Sequence, residues 1–544
     1  MSEFNELIDS YYRAWFRFHP ERAVDLGVDG YSDLLDPYGD DDIGALITLN
    51  EKLLDAVDTI NLDKLDADQK IDLQLMHGQA LIESKQLIDI DWRTRDPGRF
   101  LPVNAIYQLT IRPVKDRCGS LQKRLAAIPG HLRAARGHLL SEPESIPSVW
   151  LESAITEAQE GARYLRGLES HPFITPCKLF EDLEKAARAL DDYARFLERD
   201  IAGRAQGDFA CGRDMFELKL KYLHGLDIDA DSLRNFGQSL YDRVWKELIA
   251  VTQELQGDDN VMAMTDRIRQ MNPAGESILE AYRAGMKAAH KFLKQHDLVT
   301  IPETNFLHVV ETPRFLQHRI PFAAYMDPMP TDPSQTGYYY VTPPQDDDSR
   351  GEHNLIGLRH TCVHEAWPGH HLQFVTANHD QRSRTLPRLT NPSATLYEGW
   401  ALYSEQLMQE QGFLDQPESQ FILLKDRLWR ALRVMLDVDL HVHGQTLDTA
   451  AKTMCDNLGF SRAQAMGDLN WYTHAPTVPM GYATGWALIT QTRERLQAIQ
   501  SESSLKDFHD RLLSAGSIGL PWVLRHCFGE PLWQSVRQSV FPVN

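Results

Sequence analysis

The chain has 544 residues, is 42% hydrophobic and 24% charged, and sets 56 Lys and Arg against 77 Asp and Glu, a formal net charge of −21. So acidic a surface repels phosphate backbones and anionic bilayers, which excludes nucleic acid and membrane as main partners. The ordinary composition excludes a disordered tail, a collagen-like repeat and a disulfide-dense mini-protein.

The N-terminus, MSEFNELIDSYYRAWFRFHP, carries Glu3, Glu6 and Asp9 where an export signal needs a positive start and an apolar run. A cytoplasmic location is expected from this. Six cysteines at 118, 177, 211, 362, 455 and 527 lie far apart without a C-x-x-C pair, and are expected to be reduced thiols packed as small hydrophobes. Residues 5–18 place Leu7, Ile8, Tyr11, Tyr12, Trp15 and Phe16 on one helical face, and similar stripes recur at 68–90, 117–141, 150–168, 178–200, 231–256 and 275–296. Near residue 300 the pattern changes. NFLHVVE (305–311) and GYYYVT (337–342) are short, aromatic and β-branched, and predict two strands joined by a long Pro/Asp-rich loop. QDDDSRGEHN (345–354) reads as a polar loop, after which the helical period returns. The expected fold is mainly α: a large multi-helix body with a deep cleft and one small β element before residue 360. The expected organisation is an N-terminal helical region (1–300) and a second helical region (301–544) joined as one two-lobed unit.

The chemistry concentrates in 360-HTCVHEAWPGHHLQFV-375. His364 and Glu365 begin an H-E-x-x-H signature of the gluzincin type, in which two imidazoles hold zinc and the Glu serves as general base. Position 368 is Pro, however, and the next histidines are His370 and His371. On a regular helix six residues turn through about 600°, to the opposite face, and seven rise about 10.5 Å, too far for one ion. Pro368 and Gly369 permit a kink or bulge that returns the chain to His364. Spacing leaves His370 and His371 open, and His360 with His364 forms an alternative i, i+4 pair. A third ligand is expected in 396-LYEGWALYSEQ-406, where Glu398 and Glu405 share one face of an otherwise apolar helix. Glu398 is the proposed ligand; Glu405 is either a supporting residue or a surface one.

HEAWPGHHLQ followed by YEGWALYSE resembles the bacterial family known as domain of unknown function 885, whose members look like helical zinc metallopeptidases of the carboxypeptidase and oligopeptidase kind. The family pattern H-E-x-x-P-G-H falls on His364, Glu365, Pro368, Gly369 and His370, and E-G-W-A on Glu398 to Ala401. RALRVMLDVDLH, GYATGW and DFHDRLLSAGSIGLP resemble further family stretches, so the likeness covers residues 300–530. Two departures stand out: Met480 and Gly481 where P-G-Q-A is common, and Asp439 where Gly is usual.

The resemblance implies a metal-dependent hydrolase, a zinc peptidase cleaving short peptides. It implies His364, His370 and Glu398 as ligands of one zinc or other divalent ion, and Glu365 as general base. Tyr482 and His441 are candidates for donating a hydrogen bond to the developing oxyanion. Arg433 is a candidate for a substrate carboxylate, or else a partner of Asp437 four residues on. Tyr339, in the 337–341 strand, is a candidate for pairing with an extended substrate. The competing readings are hydrolysis of a non-peptide amide or ester on the same residues, and a non-catalytic helical binding protein.

Overall fold

A computed structural model of the chain describes residues 3–271, 277–317, 320, 322–344, 347–500 and 504–542. All seven amphipathic stripes are helices: Glu3–Trp15, Ala67–Asp89, Arg117–Ser141, Ser148–Gly167, Phe180–Phe196, Ala230–Gln256 and Ile278–His296. Local chemistry sets their ends. Asp66 and Gln69 form a reciprocal capping box, each side chain accepting the other's amide at 2.8 and 3.1 Å. Asp229 accepts the Ser232 amide at 2.6 Å to start Ala230–Gln256, and Gly257, at φ 85°, ends it. Helix Val103–Ile111 carries no stripe, because seven of its nine residues are buried and little polar face remains to reveal a period.

The β element has three strands: β1 (Leu307–Glu311), β2 (Ala323–Met326) and β3 (Gly337–Val341), in the order β1-β3-β2. β1 pairs parallel with β3, and β2 antiparallel. The expected long loop therefore contains a strand. AAYM is too short to show alternation and lies between prolines, so nothing in its sequence separates it from loop. The expected polar loop at 345–354 is partly helical, at Asp347–Glu352, while 345 and 346 lie outside the described residues.

Among the described residues, three hydrophobic cores organise the helices. The largest runs from Ile71 to Phe541 and joins helices from both sides of residue 300. A second gathers Tyr38 to Ile201 with Phe315 and Tyr340, and a third holds the N-terminal helices. β3 separates the first two: Tyr339 and Val341 belong to the largest core and Tyr340 to the second, as the period of two requires.

Five helices carry the C-terminal site: α1 (Leu355–Glu365), α2 (His370–His379), α3 (Ala394–Glu410), α4 (Pro417–His441) and α5 (Gly481–Ile499). Helix α3 is buried on nearly every side, so its two buried carboxylates, Glu398 and Glu405, must find partners inside the protein. Its approach to α5 is set by two glycines. A Cβ on Gly399 would lie 2.5 Å from the Gly485 Cα, and one on Gly485 only 1.9 Å from the Thr395 carbonyl oxygen.

Not all cysteines are free thiols. Cys118 and Cys177 form a disulfide, with Cα atoms 5.2 Å apart across 59 residues of sequence. The folding of the second core brings them together, which spacing could not show. Cys211, Cys362, Cys455 and Cys527 are free. Among the described residues, no helix is long and apolar enough to cross a membrane.

Candidate metal centre

The chain does not kink after Glu365; it leaves the helix. α1 ends there, four residues intervene, and α2 begins at His370. The Trp367–Pro368 peptide is cis, and the Gly369 amide donates back to the Val363 carbonyl at 3.0 Å. Gly369 is packed so tightly on the end of α1 that a Cβ would lie 1.8 Å from the His364 carbonyl oxygen. Trp400 of α3 donates its indole N–H to the Pro368 carbonyl at 2.7 Å, tying the E-G-W-A and P-G-H segments together.

This junction brings His370 beside His364, with ring centroids 5.0 Å apart and planes at 89°. Glu398 reaches both: its Oε2 lies 3.2 Å from His370 Nε2 and 3.5 Å from His364 Nε2. One ligand atom from each of the three lies within 4.8 Å of the others, and all three residues are buried. Glu398 Oε2 has no hydrogen-bond partner among the described residues, a costly state for a buried carboxylate oxygen. Two imidazoles and one carboxylate are the donor set of a catalytic zinc site, and these atoms fit one such ion.

Supporting contacts fix the set. Glu405, one face-repeat along α3 from Glu398, accepts from His364 Nδ1 at 2.7 Å, and its Oε2 lies 3.5 Å from His360. It therefore supports His364 from outside the three-residue cluster and is not a surface residue. Of His370 and His371, only His370 lies in the three-residue cluster. His371 Nδ1 bonds the Tyr325 hydroxyl at 2.9 Å, and so anchors β2 instead. Burial lowers its imidazole to about 4. His360 stands behind Glu405, outside the three-residue cluster.

Charge in the cluster is concentrated and poorly solvated. Burial opposes ionisation of His364, but the adjacent Glu398 and Glu405 carboxylates lift its imidazole to about 10. Burial likewise works against the Glu398 anion, yet His370 and His364 hold that carboxyl well below its usual range. Glu365 is pushed up by burial, with His370 and His364 pulling the other way.

The site opens into a cavity of about 280 Å³. One wall carries His364, Glu365, His370 and Glu398. β2 and its exit line the cavity with Ala323, Ala324, Tyr325 and Asp327, and Phe374, Tyr397 and Tyr482 complete the lining. Glu365 Oε2 is 4.0 Å from His370 Nε2, at the metal edge of the cavity.

Tyr482 is at the site. Its ring stacks near that of His364, centroids 6.3 Å apart at 16°. The turn that delivers it is held by Asp437, which accepts the amides of Thr477 and Met480 at 3.1 and 3.2 Å. Met480, one of the two departures, thus serves through its backbone. Burial pushes the Asp437 carboxyl up to about 7 against the pull of those amides.

Three expected site residues are elsewhere. Arg433 is buried, bonds the Tyr472 hydroxyl at 2.7 Å and pairs with Asp468 at 3.3 Å rather than with Asp437. Its guanidinium stacks 4.1 Å from the Trp429 ring and 4.7 Å from that of Tyr482, so it braces the tyrosine and does not line the cavity. His441 bonds the Tyr472 carbonyl at 3.0 Å and packs near Phe209; burial lowers it to about 4, and it faces no part of the cavity. Tyr339 sits in the central strand, fully buried against Tyr282, with both strand edges already paired. The strand beside the metal site is β2. Asp439, the second departure, bonds Arg234 at 2.6 Å and His443 at 2.8 Å, away from the cavity. Tyr325, Asp327, Phe374 and Tyr397 were not legible as site residues. Tyr397 adjoins Glu398 in sequence, but no motif marks the others.

A family model described as "Bacterial protein of unknown function (DUF885)" matches residues 20–526. No curated protein matches the chain. Among solved structures, the chain is similar to a candidate lipoprotein of unknown function from Shewanella oneidensis, with 22% identity over 97% of this chain and 100% of that one and a TM-score of 0.77. It is also similar to a candidate lipoprotein from Colwellia psychrerythraea, with 19% identity over 99% of each chain and a TM-score of 0.79. At these identities the likeness is one of fold.

Proposed function

The chain belongs to the bacterial family of unknown function DUF885, and from that premise we propose that it is a metal-dependent hydrolase, a zinc peptidase acting on short peptides. The observation that carries this reading is the buried His364–His370–Glu398 cluster opening on a cavity that also holds Glu365 and Tyr482. A zinc ion held by these three residues would supply Lewis acidity and bring the pKa of a water down toward neutrality. Glu365 then accepts the proton of the attacking water and hands it to the leaving nitrogen. Tyr482 donates its hydroxyl hydrogen to the oxygen on which charge develops. The outer edge of β2 at Ala323 and Ala324 offers backbone groups to an extended substrate in the same cavity as the ligands. A cavity of about 280 Å³ favours short substrates.

Purified protein is expected to hold one zinc per chain, to lose peptide hydrolysis on chelation and to regain it on adding zinc. A panel of short peptides, other amides and esters decides the substrate class. Full peptidase activity without metal would remove the metal mechanism, and turnover of esters but no peptides would move the reading to the alternative hydrolase.

The same reading extends to the compartment. The Cys118–Cys177 disulfide favours an oxidising environment over the cytoplasm expected from the N-terminus. The two similar proteins of known structure, both described as lipoproteins, point the same way. Protein isolated from its native compartment and unfolded without reductant is expected to titrate four thiols, rising to six after reduction. Six thiols before reduction would restore the cytoplasmic expectation.

A further inference from the structure

A second cavity, of about 210 Å³, adjoins the metal-site cavity and shares two of its wall residues, Tyr325 and Asp327. β2 and its exit thus form a common floor, with Ala323 and Ala324 facing the metal ligands and Met326 facing the second cavity. At ~3.3 Å per strand residue, Ala324 to Asp327 spans about 10 Å, the length of about three extended residues. A short peptide laid along β2 with its labile bond at the metal site has one end in the second cavity.

The far wall comes from the N-terminal half of the chain. Helix Pro20–Asp25 brings Arg22 and Asp25, and helix Val103–Ile111 with the residue after it brings Gln108 and Arg112. Arg112 is only 5% exposed. Its Nη1 donates to the Asp327 carbonyl at 2.8 Å. Its Nε meets Asp25 at 3.5 Å, an ion-pair contact without a hydrogen bond, and that buried nitrogen has no hydrogen-bond partner among the described residues. Arg22 donates one terminal nitrogen to the Leu389 carbonyl. Each guanidinium carries five donors, so both keep N–H groups available where they line the cavity. Asp25 answers them weakly: burial pushes its carboxyl up against the pull of Arg112 and Arg22. The lining of this cavity thus sets the guanidinium groups of Arg22 and Arg112 beside the carboxyl groups of Asp25 and Asp327, in balance rather than in the acidic excess of the chain as a whole.

We infer that the second cavity is the anionic-end subsite of the cleft, in which Arg22 and Arg112 bind a carboxylate of the substrate about three residues from the metal site. The planar fork of a guanidinium matches a carboxylate, and in a narrow desolvated cavity that pairing discriminates strongly against a neutral amide. The class of substrate is then a short peptide with a free C-terminal carboxylate or an acidic terminal side chain. The inference rests on the hydrolase reading for its meaning, but not for its test.

Three N-acetylated tripeptides separate the sources: one with a free C-terminal carboxylate, its C-terminal amide, and an amide whose last residue is Glu. Calorimetry uses zinc-loaded full-length Glu365→Gln protein, and hydrolysis uses the wild type. The free acid is expected to bind at least tenfold more tightly than the plain amide, with the difference in KM rather than kcat. Tight binding of the Glu-terminated amide would assign the carboxylate to a side chain. Arg22→Gln, on a half-buried residue, is expected to weaken the free acid at least tenfold more than the plain amide, abolishing the preference, while zinc content stays at one per chain. Arg112→Gln serves as the second variant, with thermal melting to verify folding. Equal affinity for acid and amide, or an equal loss for both in Arg22→Gln, would overturn the subsite. Acid-selective binding with no hydrolysis by the zinc-loaded wild type would keep the subsite and remove the peptidase.

Discussion

Glu365→Gln is expected to lower kcat by about 10²–10⁴-fold, the range that positioned proton transfer supplies, while one zinc per chain remains bound. The substitution removes a proton acceptor and little else. Glu365 is outside the cluster of His364, His370 and Glu398, so the donor set stays complete. Its carboxylate lies 4.0 Å from His370 Nε2 on the cavity wall, where an amide of the same shape fits. Burial already disfavours the Glu365 anion, so a neutral side chain does not weaken the fold. The change should appear in kcat, with KM within a few-fold of wild type, because no substrate-binding contact is removed. Metal analysis, steady-state kinetics and thermal melting on the same preparation check all three points. A zinc-loaded variant with undiminished turnover would show that another group moves the proton.

Gly369→Ala is expected to remove stoichiometric zinc and with it most activity, although the substitution adds one carbon and touches no ligand. A Cβ at this position falls 1.8 Å from the His364 carbonyl oxygen and 2.3 Å from that of Val363. Both are backbone atoms at the end of α1, so neither can rotate aside. The junction must open, and His370 moves with it because it is the next residue. Overpacking of this kind costs about 1–3 kcal/mol, occasionally more, so the protein is expected to melt earlier but still to fold. The discriminating measurement is zinc affinity, since displacement of one of three ligands weakens it far more than it weakens the fold. Ser in place of Ala should behave alike, because the steric cost lies in the Cβ. Wild-type zinc content in folded Gly369→Ala would mean that the junction has slack these distances do not show.

Much of the candidate site is legible in the chain because its His and Glu residues fall within short segments of recognisable chemistry. His364, Glu365 and Glu398 follow from their chemistry and from the amphipathic helix that carries Glu398, and the long helices follow from their stripes. His370 did not follow from spacing. A helix has two natural repeats, and neither six nor seven residues returns an imidazole to the same ion. The answer lay in a four-residue excursion packed against the end of α1, and family likeness pointed to it where periodicity could not. Arg433, His441 and Tyr339 show the opposite limit. Each has suitable chemistry and a suggestive motif, but orientation is set by neighbours far away in sequence. Arg433 faces Asp468 and Tyr472, His441 faces the Tyr472 carbonyl, and Tyr339 is enclosed between two strands.

The departures from the family pattern make the same point. Met480 and Asp439 sit beside functional segments in sequence, yet one contributes a backbone amide to Asp437 and the other an ion pair to Arg234.

By itself, then, the sequence determined the helical class, the net charge of −21, and three of the four residues gathered at the candidate site, His364, Glu365 and Glu398. These depend on periodicity, net charge and residue chemistry, which are local or additive properties. Tertiary structure decided the rest: the identity of the second histidine, the strand that borders the cleft, the disulfide, and the arginine cavity beyond Asp327. Each of these needs groups separated by tens to hundreds of residues to meet in one place. Packing against a common core fixes such meetings, and no short window of sequence records them.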